Sequence, residues 1–280
     1  MRNNPVVSVV IPAYNAERFI VKTLDSVLAQ TYTNYELIVV DDGSFDNTEK
    51  VVQEYFAKKK VYGQCIRQEN KGIAGGRNTG IRSARGQFIA LLDHDDLWVP
   101  KKLQKVIETF KLKPQTDLIC HNEQIIKDGK NTKVSENSRK NYSSYEELLF
   151  KGNSLSPSAV VFRKSLFDRI GGFDESSELN TVEDYDFWLR ASRVGKITYI
   201  NATLGSYVLT KSAASNNILC HHGNLENLLN KHLTNYRQGY KGLFGKFRAS
   251  RRLASFRLLT LIKLCQQKTK HQYTKYWEKK

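Results

Sequence analysis

Phe88-Ile89-Ala90-Leu91-Leu92-Asp93-His94-Asp95-Asp96 joins an unbroken apolar run to three aspartates in a single turn. An apolar run of this length reads as a strand buried on both faces, as in a parallel sheet. The carboxylates then lie where the edge of such a sheet opens into a crevice. Oxygens grouped in this way attract a hard divalent cation, and that cation can neutralise a diphosphate. The competing reading is a solvated turn that caps the next helix. Pro100 weighs against it, because a proline suits the first helical position and would make Val99 the cap.

The pattern on either side of this turn alternates strand and helix. Val6-Val7-Ser8-Val9-Val10-Ile11 is a buried strand stopped by Pro12, and residues 17–28 follow at helical spacing through Phe19, Ile20, Leu24, Val27 and Leu28. Residues 35–40 form a second buried strand ended by Asp41-Asp42-Gly43-Ser44, 48–57 a helix, and 64–66 a short third strand. A glycine-rich loop and a short helix lead into Phe88. This order predicts a mostly parallel sheet with helices on both faces. Ligands of such sheets bind beyond the carboxyl ends of the strands, where Tyr14-Asn15, Asp41-Asp42 and Asp93-His94-Asp95 all fall. These distant segments are therefore expected to meet. After residue 117 the pattern is less regular. Residues 122–141 read as a loop or an exposed hairpin, 154–162 as a strand, 171–174 as a turn, 181–193 as a helix, and 197–200 and 206–209 as two late strands.

The chain has 280 residues and a formal charge of +16. Residues 221–280 hold 14 Lys or Arg against Glu226 and Glu278, so this tail supplies +12 of that charge and the rest is close to neutral. Within it, 243–265 mixes Phe247, Leu253, Phe256, Leu258, Leu259, Leu261 and Ile262 with Lys246, Arg248, Arg251, Arg252, Arg257 and Lys263. An amphipathic cationic helix of this kind suits an anionic membrane surface. A nucleic-acid partner is disfavoured, since no motif for one accompanies the charge, and packing on the preceding domain is the plain alternative. No apolar stretch approaches the roughly 20 residues of a membrane span. Residues 1–5 lead directly into a strand without a leader-peptide core. Cys65, Cys120, Cys220 and Cys265 lack metal-site spacing, so reduced thiols and a cytoplasmic setting are expected, with the tail able to rest on the inner face of the cell membrane.

Five segments, in this order, resemble the signatures of family 2 glycosyltransferases: Val7-Ser8-Val9-Val10-Ile11-Pro12-Ala13-Tyr14-Asn15; Val40-Asp41-Asp42-Gly43-Ser44; Asn70-Lys71-Gly72-Ile73-Ala74-Gly75-Gly76-Arg77-Asn78; Leu92-Asp93-His94-Asp95-Asp96; and Val182-Glu183-Asp184-Tyr185-Asp186-Phe187-Trp188-Leu189-Arg190. The resemblance runs from residue 6 to about 210. It implies a GT-A-type nucleotide-binding sheet, a nucleotide-diphosphate sugar donor, an inverting reaction, and a divalent metal (Mn or Mg). The expected organisation is a GT-A domain over 1–220, with a nucleotide-sugar-binding half at 1–116 and an acceptor-binding half at 117–220. A basic helical extension follows at 221–280. The expected acceptor is a glycan or a lipid-linked acceptor.

Site residues carried over from the resemblance have their own physical logic. Pro12, Ala13, Tyr14 and Asn15 frame the base, although Tyr14 also reads as a core tyrosine. Asp42 would accept from the uracil imide N–H, with an Asx turn as its alternative. Arg77, at the start of a helix, would contact the nucleotide or face solvent, and the glycines from Gly72 to Gly80 would let backbone pass close to it. No Gly-Lys-Ser/Thr ending is present, which excludes an ATP-type phosphate loop. Asp93 would touch the ribose beside His94 and share the metal with Asp95, while Asp96 supports the loop. Asp184 is the expected general base and Glu183 its helper; a capping box from Thr181 to Asp184 is the structural alternative. Trp188 reads as core or as a platform under a sugar. Many family members carry Arg-x-His after the late strand. Here Thr210 stands where that histidine is expected, so Lys211, His221 or His222 would have to compensate, or metal binding weakens. The rival functions are a sugar-phosphate nucleotidyltransferase and an inactive nucleotide-sugar-binding relic.

Overall fold

A computed structural model describes residues 5–209, 218–239 and 250–255. The chain forms two compact units divided between Asn216 and Asn217. The composition shift had placed this division after residue 220. Ile218, Leu219 and Cys220 instead open a long helix, Ile218–Gly239, in the second unit.

Among the described residues of the first unit, nine strands form one mixed sheet. They are β1 (Val7–Ala13), β2 (Tyr35–Asp41), β3 (Gly63–Arg67), β4 (Phe88–Leu91), β5 (Leu97–Trp98), β6 (Leu118–Lys127), β7 (Lys130–Ser135), β8 (Val160–Arg163) and β9 (Ile197–Leu209). The order is β3-β2-β1-β4-β8-β6-β9-β5, with β7 paired to β6. β1 to β4 run parallel, β8 lies antiparallel between β4 and β6, and β6 pairs parallel with β9. The α/β fold expected from the alternating pattern is therefore present, with three antiparallel strands added.

β1 is buried along its whole length, and its alternate residues serve the two faces. Val7, Val9 and Ile11 join a core with Ile20, Leu24 and Val27 of α1 (Ile20–Leu28) and Val52 and Tyr55 of α2 (Thr48–Lys59). The opposite face receives α3 (Gly72–Ser83). The glycines expected to let backbone pass close to the nucleotide lie inside this helix. A Cβ on Gly76 would approach Pro12 Cβ to 3.2 Å, and one on Gly80 would collide with Val10 Cγ1. Gly76 and Gly80 thus set the distance between this helix and the sheet. Gly80→Ala should cost roughly 1–3 kcal/mol of overpacking, only partly offset by about 1 kcal/mol of better helix propensity. A lower urea midpoint with unchanged slope is the expected result.

Several expectations change. α4 spans Lys102–Leu112 with Lys101 as its cap, two residues after the position that Pro100 implied; Val99 instead continues the pairing with β9, donating its N–H to Leu204 O at 3.0 Å. The polar stretch from 122 is the hairpin alternative, turned tightly at Asp128 (φ 50°) and Gly129 (φ 72°). The strand expected over 154–162 is a helical turn at Pro157–Ala159 followed by β8. The two late strands are one, β9, because ten residues of β6 pair along it. Two short helices, α5 (Asn137–Lys140) and α6 (Tyr145–Lys151), precede α7 (Lys164–Ile170) and α8 (Glu183–Val194). The long helix of the second unit is α9; among the described residues no helix is long and apolar enough to cross a membrane. Residues 250–255 are helical, and the remainder of the expected 243–265 helix lies outside the described residues.

Candidate active site

Parallel pairing brings three loops to one edge of the sheet. Ala13 is the register partner of Asp41, and Val10 that of Leu91, so Tyr14, Asp42 and Asp93 all emerge beyond carboxyl ends of adjacent strands. Contacts between the loops follow. Asp42 N–H donates to Ala13 O at 2.9 Å, and His94 Nδ1 lies 3.4 Å from Pro12 O. Asp42 Oδ1 accepts from Lys71 N–H at 2.9 Å and from Gln68 Nε2 at 2.6 Å. Asp41 instead braces the turn, accepting from Ser44 N–H and pairing with Arg67 at 2.8 Å.

The turn from Asp93 to Asp96 is gripped from behind. Asp93 N–H donates to Ser158 Oγ at 3.0 Å, and the Thr23 hydroxyl of α1 reaches His94 O at 2.8 Å and Asp96 O at 3.0 Å. Asp96 is buried and its Oδ1 accepts Val208 N–H at 2.8 Å, which ties the end of β9 to the turn. Burial, with Glu123, Asp93 and Asp95 nearby, pushes its carboxyl well above the usual range.

Arg77 departs from expectation most clearly. It sits in the middle of α3, 1 % exposed, where a helix-start residue open to nucleotide or solvent was expected. Its guanidinium donates to Asp93 Oδ1 at 2.9 Å and to Glu183 Oε1 at 2.6 Å. Burial alone would lower its pKa, but Asp93, Glu183 and Asp184 override this and hold it raised. One planar fork therefore joins the aspartate turn to the start of α8, which is 106 residues away in sequence from Arg77.

α8 is anchored so that its first turn faces this point. Phe187, Trp188 and Leu189 are fully buried, and Tyr185 OH donates to Leu148 O at 2.6 Å. Trp188 packs against Phe162, Phe173 and Phe187, so it is core and no platform for a sugar. The capping box is not formed: Val182 is the N-cap without a side-chain hydrogen bond, and Asp184 Oδ1 accepts from Tyr185 N–H at 2.6 Å. Thr181 adopts φ +71°, a left-handed conformation that a β-branched residue rarely takes. Asp184 remains partly exposed. Burial and the neighbouring Glu183 push its carboxyl up to about 7, against the pull of Arg77. Glu183 Oε2 is buried with no hydrogen-bond partner among the described residues.

Three of the residues expected to frame the base, Pro12, Ala13 and Asn15, also hold the loops to one another. Asn15 Oδ1 accepts Phe45 N–H at 2.9 Å, and Asn15 N–H donates to Ser44 Oγ at 2.9 Å. Asn15 thus fastens one loop to another. Pro12 and Ala13 supply carbonyls to His94 and Asp42.

Sequence reading missed the support behind the turn. Lys102 is fully buried, its Nζ donating to Ser158 O at 2.6 Å and lying 3.6 Å from the Trp98 ring centroid; Trp98 Nε1 donates to the same carbonyl at 2.9 Å. Desolvation lowers the Lys102 pKa well below the usual lysine range and raises the Glu123 carboxyl to about 7. A signal existed for Lys102, which falls with Leu103, Val106, Ile107 and Phe110 on the buried face of α4.

The donor set fits a metal that arrives with its substrate. Asp93 and Asp95 share a turn and offer hard oxygens, and Arg77 holds one oxygen of Asp93 in place. Among the described residues no group of three or more His, Cys, Asp or Glu side chains could hold a metal unaided. One or two carboxylates completed by phosphate oxygens is the arrangement magnesium commonly takes. Thr210 and Lys211 lie outside the described residues, and His221 and His222 belong to α9 of the second unit.

Residues 8–171 match the family model for glycosyl transferase family 2. The chain belongs to glycosyltransferase family 2. UDP-Glc:alpha-D-GlcNAc-diphosphoundecaprenol beta-1,3-glucosyltransferase WfgD of Escherichia coli is 35% identical over 214 residues, covering 76% of this chain and 80% of its own length. An uncharacterized glycosyltransferase of Rickettsia prowazekii is 32% identical over 206 residues, 72% of this chain; the match spans 63% of that relative's length. The matched part is only 30% of E. coli chondroitin synthase, at 31% identity over 75% of this chain. Among solved structures, S. aureus TarS 1-349 in complex with UDP shares the fold at TM-score 0.64 and 20% identity, covering 89% of this chain and 70% of that one. The mannosyltransferase PcManGT of Pyrobaculum calidifontis, in complex with GDP-Man and Mn2+, does so at 0.63 and 18%, covering 98% and 82%. The sheet is thus the GT-A fold of a family 2 glycosyltransferase, as the ordered motifs implied.

Proposed function

We propose that this protein transfers a sugar, with inversion, from a UDP-linked donor to a hydroxyl of a glycan or lipid-linked acceptor. The observation that carries the reading is the Arg77 fork, which sets the Asp93 turn and the Glu183-Asp184 pair at one place. A carboxyl poised near 7 is suited to take a proton at neutral pH. The UDP in the TarS complex and the donor and diphosphoundecaprenol acceptor named for WfgD support the choice of substrates.

In this scheme Tyr14 and Asp42 receive the base, and Asp93 and His94 lie beside the ribose and diphosphate. Asp95, with Asp93, would hold a divalent metal. When bound, it would neutralise the diphosphate and stabilise charge on the leaving group. Asp184 accepts the acceptor's hydroxyl proton as that oxygen bonds to the anomeric carbon, and the bond from that carbon to the diphosphate oxygen breaks on the opposite face. The nucleoside diphosphate leaves with the bonding electrons. Glu183 would act as the helper of Asp184, with one carboxylate oxygen held by Arg77. The half after residue 117 would bind the acceptor, and the basic tail, with Arg251 and Arg252 in its described helical part, would rest on an anionic membrane surface.

Incubation with a panel of UDP-sugars and Mn2+ tests the reading. Slow UDP release, abolished by EDTA and restored by added Mn2+, is the expected outcome. Binding without any turnover would favour an inactive relic, and synthesis of a nucleotide-sugar from a sugar phosphate would favour a nucleotidyltransferase.

A further inference from the structure

Phe45 is 90 % exposed, although it belongs to a loop that is fastened on every side. The residue before it, Ser44, takes Asn15 N–H on its hydroxyl and Arg67 Nη2 on its carbonyl at 3.0 Å. The Phe45 N–H itself is held by Asn15 Oδ1. The residue after it, Asp46, accepts Glu17 N–H at 3.2 Å and Thr48 N–H at 3.0 Å. Backbone order here comes entirely from these polar bonds, and the ring contributes nothing to the core. Leaving such a side chain in water forfeits the gain that burial would bring, and a small polar residue would serve the turn as well.

The ring has one aromatic neighbour among the described residues. Tyr14, 40 % exposed, lies with its centroid 6.3 Å away and its plane turned by 72°. Asp42 stands three residues before Phe45 on the same loop, its Oδ1 anchored by Lys71 and Gln68. Two exposed rings at nearly a right angle make an open corner on the loops that follow β1 and β2. A flat heterocycle laid on the face of one ring presents its edge to the other, an arrangement aromatic groups favour.

We propose that Phe45 is a nucleobase-binding residue of the donor site, forming with Tyr14 the aromatic corner that holds the base. Asn15 acts through it as a positioning residue. The inference rests on the donor reading above and adds a contact on the loop after Ser44.

The test is calorimetric binding of UDP, GDP and inorganic pyrophosphate, with Mg2+ present, to the full chain and to its F45A and F45W variants. Stacking on one aromatic residue predicts that F45A weakens UDP by roughly 5–20-fold, that F45W recovers most of this, and that pyrophosphate affinity is unchanged. Thermal midpoints of both variants should match the wild type, since the ring is outside the core. UDP affinity equal to wild type in F45A overturns the proposal while leaving the donor reading intact. Equal loss of UDP and pyrophosphate affinity also overturns it. A folded wild type that binds none of the nucleotides overturns the proposal and the donor reading together.

Discussion

Asp184→Asn should abolish transfer while leaving the fold intact, with turnover reduced by about 10^2–10^4-fold, the usual contribution of a positioned base. The amide keeps the oxygen that accepts Tyr185 N–H, so local geometry survives. In the wild type, kcat/KM should rise with pH to a plateau above about 7, because only the ionised carboxylate can accept the proton. Stability should move the other way. The folded-state value, about 7, lies above the ordinary 3.8, so the folded state binds the extra proton between these values. Stability is then fully present below pH 4 and is lost as pH rises through 7. The Asn variant escapes that loss and should exceed the wild type at pH 8, by on the order of 1–2 kcal/mol after allowance for partial exposure. Parallel pH–rate profiles and urea titrations at pH 5 and pH 8 check both signs. A variant that retains transfer, or a flat rate profile through pH 7, would remove Asp184 from the base role.

Arg77→Met is expected to give the largest loss of stability, about 3–5 kcal/mol, because it leaves two carboxylates facing each other in a buried place without their cation. Adding Glu183→Gln should recover part of that stability and none of the activity, since Asp93 stays unanchored. Arg77→Lys should fall between, as a single ammonium cannot serve both oxygens in the geometry of a planar fork. A urea double-mutant cycle measures the coupling; additive effects of the two substitutions would show that the bridge contributes nothing.

The carboxylates of this site were visible in the sequence because strands buried on both faces read as unbroken apolar runs, and each run ends where chemistry begins. Val9 to Ile11, Leu37 to Val40 and Phe88 to Leu92 belong to this kind. The pairing partner of a strand leaves no such mark. β6 begins with buried Leu118, Ile119 and Cys120, then carries Asn122, Glu123 and Gln124 into the sheet, so its polar half read as a loop or an exposed hairpin, with no sign of its pairing to β9. The Asp128-Gly129 dipeptide that turns its hairpin was a legible cue, being a pair that tolerates positive φ. Arg77 could not be assigned from sequence, because its partners lie 16 and 106 residues away. The glycines of α3 look alike whether they clear space for a ligand or for Val10, and only packing separates the two.

The placement of β8 between β4 and β6 has a consequence for how such a protein can diversify. Donor-side and later strands share a single hydrogen-bonded ladder, so a cut near residue 116 would take β8 from β4, and would leave β8 without β4 and β9 without β5, each with a raw edge. Halves of this kind cannot be shuffled between relatives as cassettes. What hangs from the ladder, such as the exposed ribbon around Asp128, can change without removing a partner from the strands beneath.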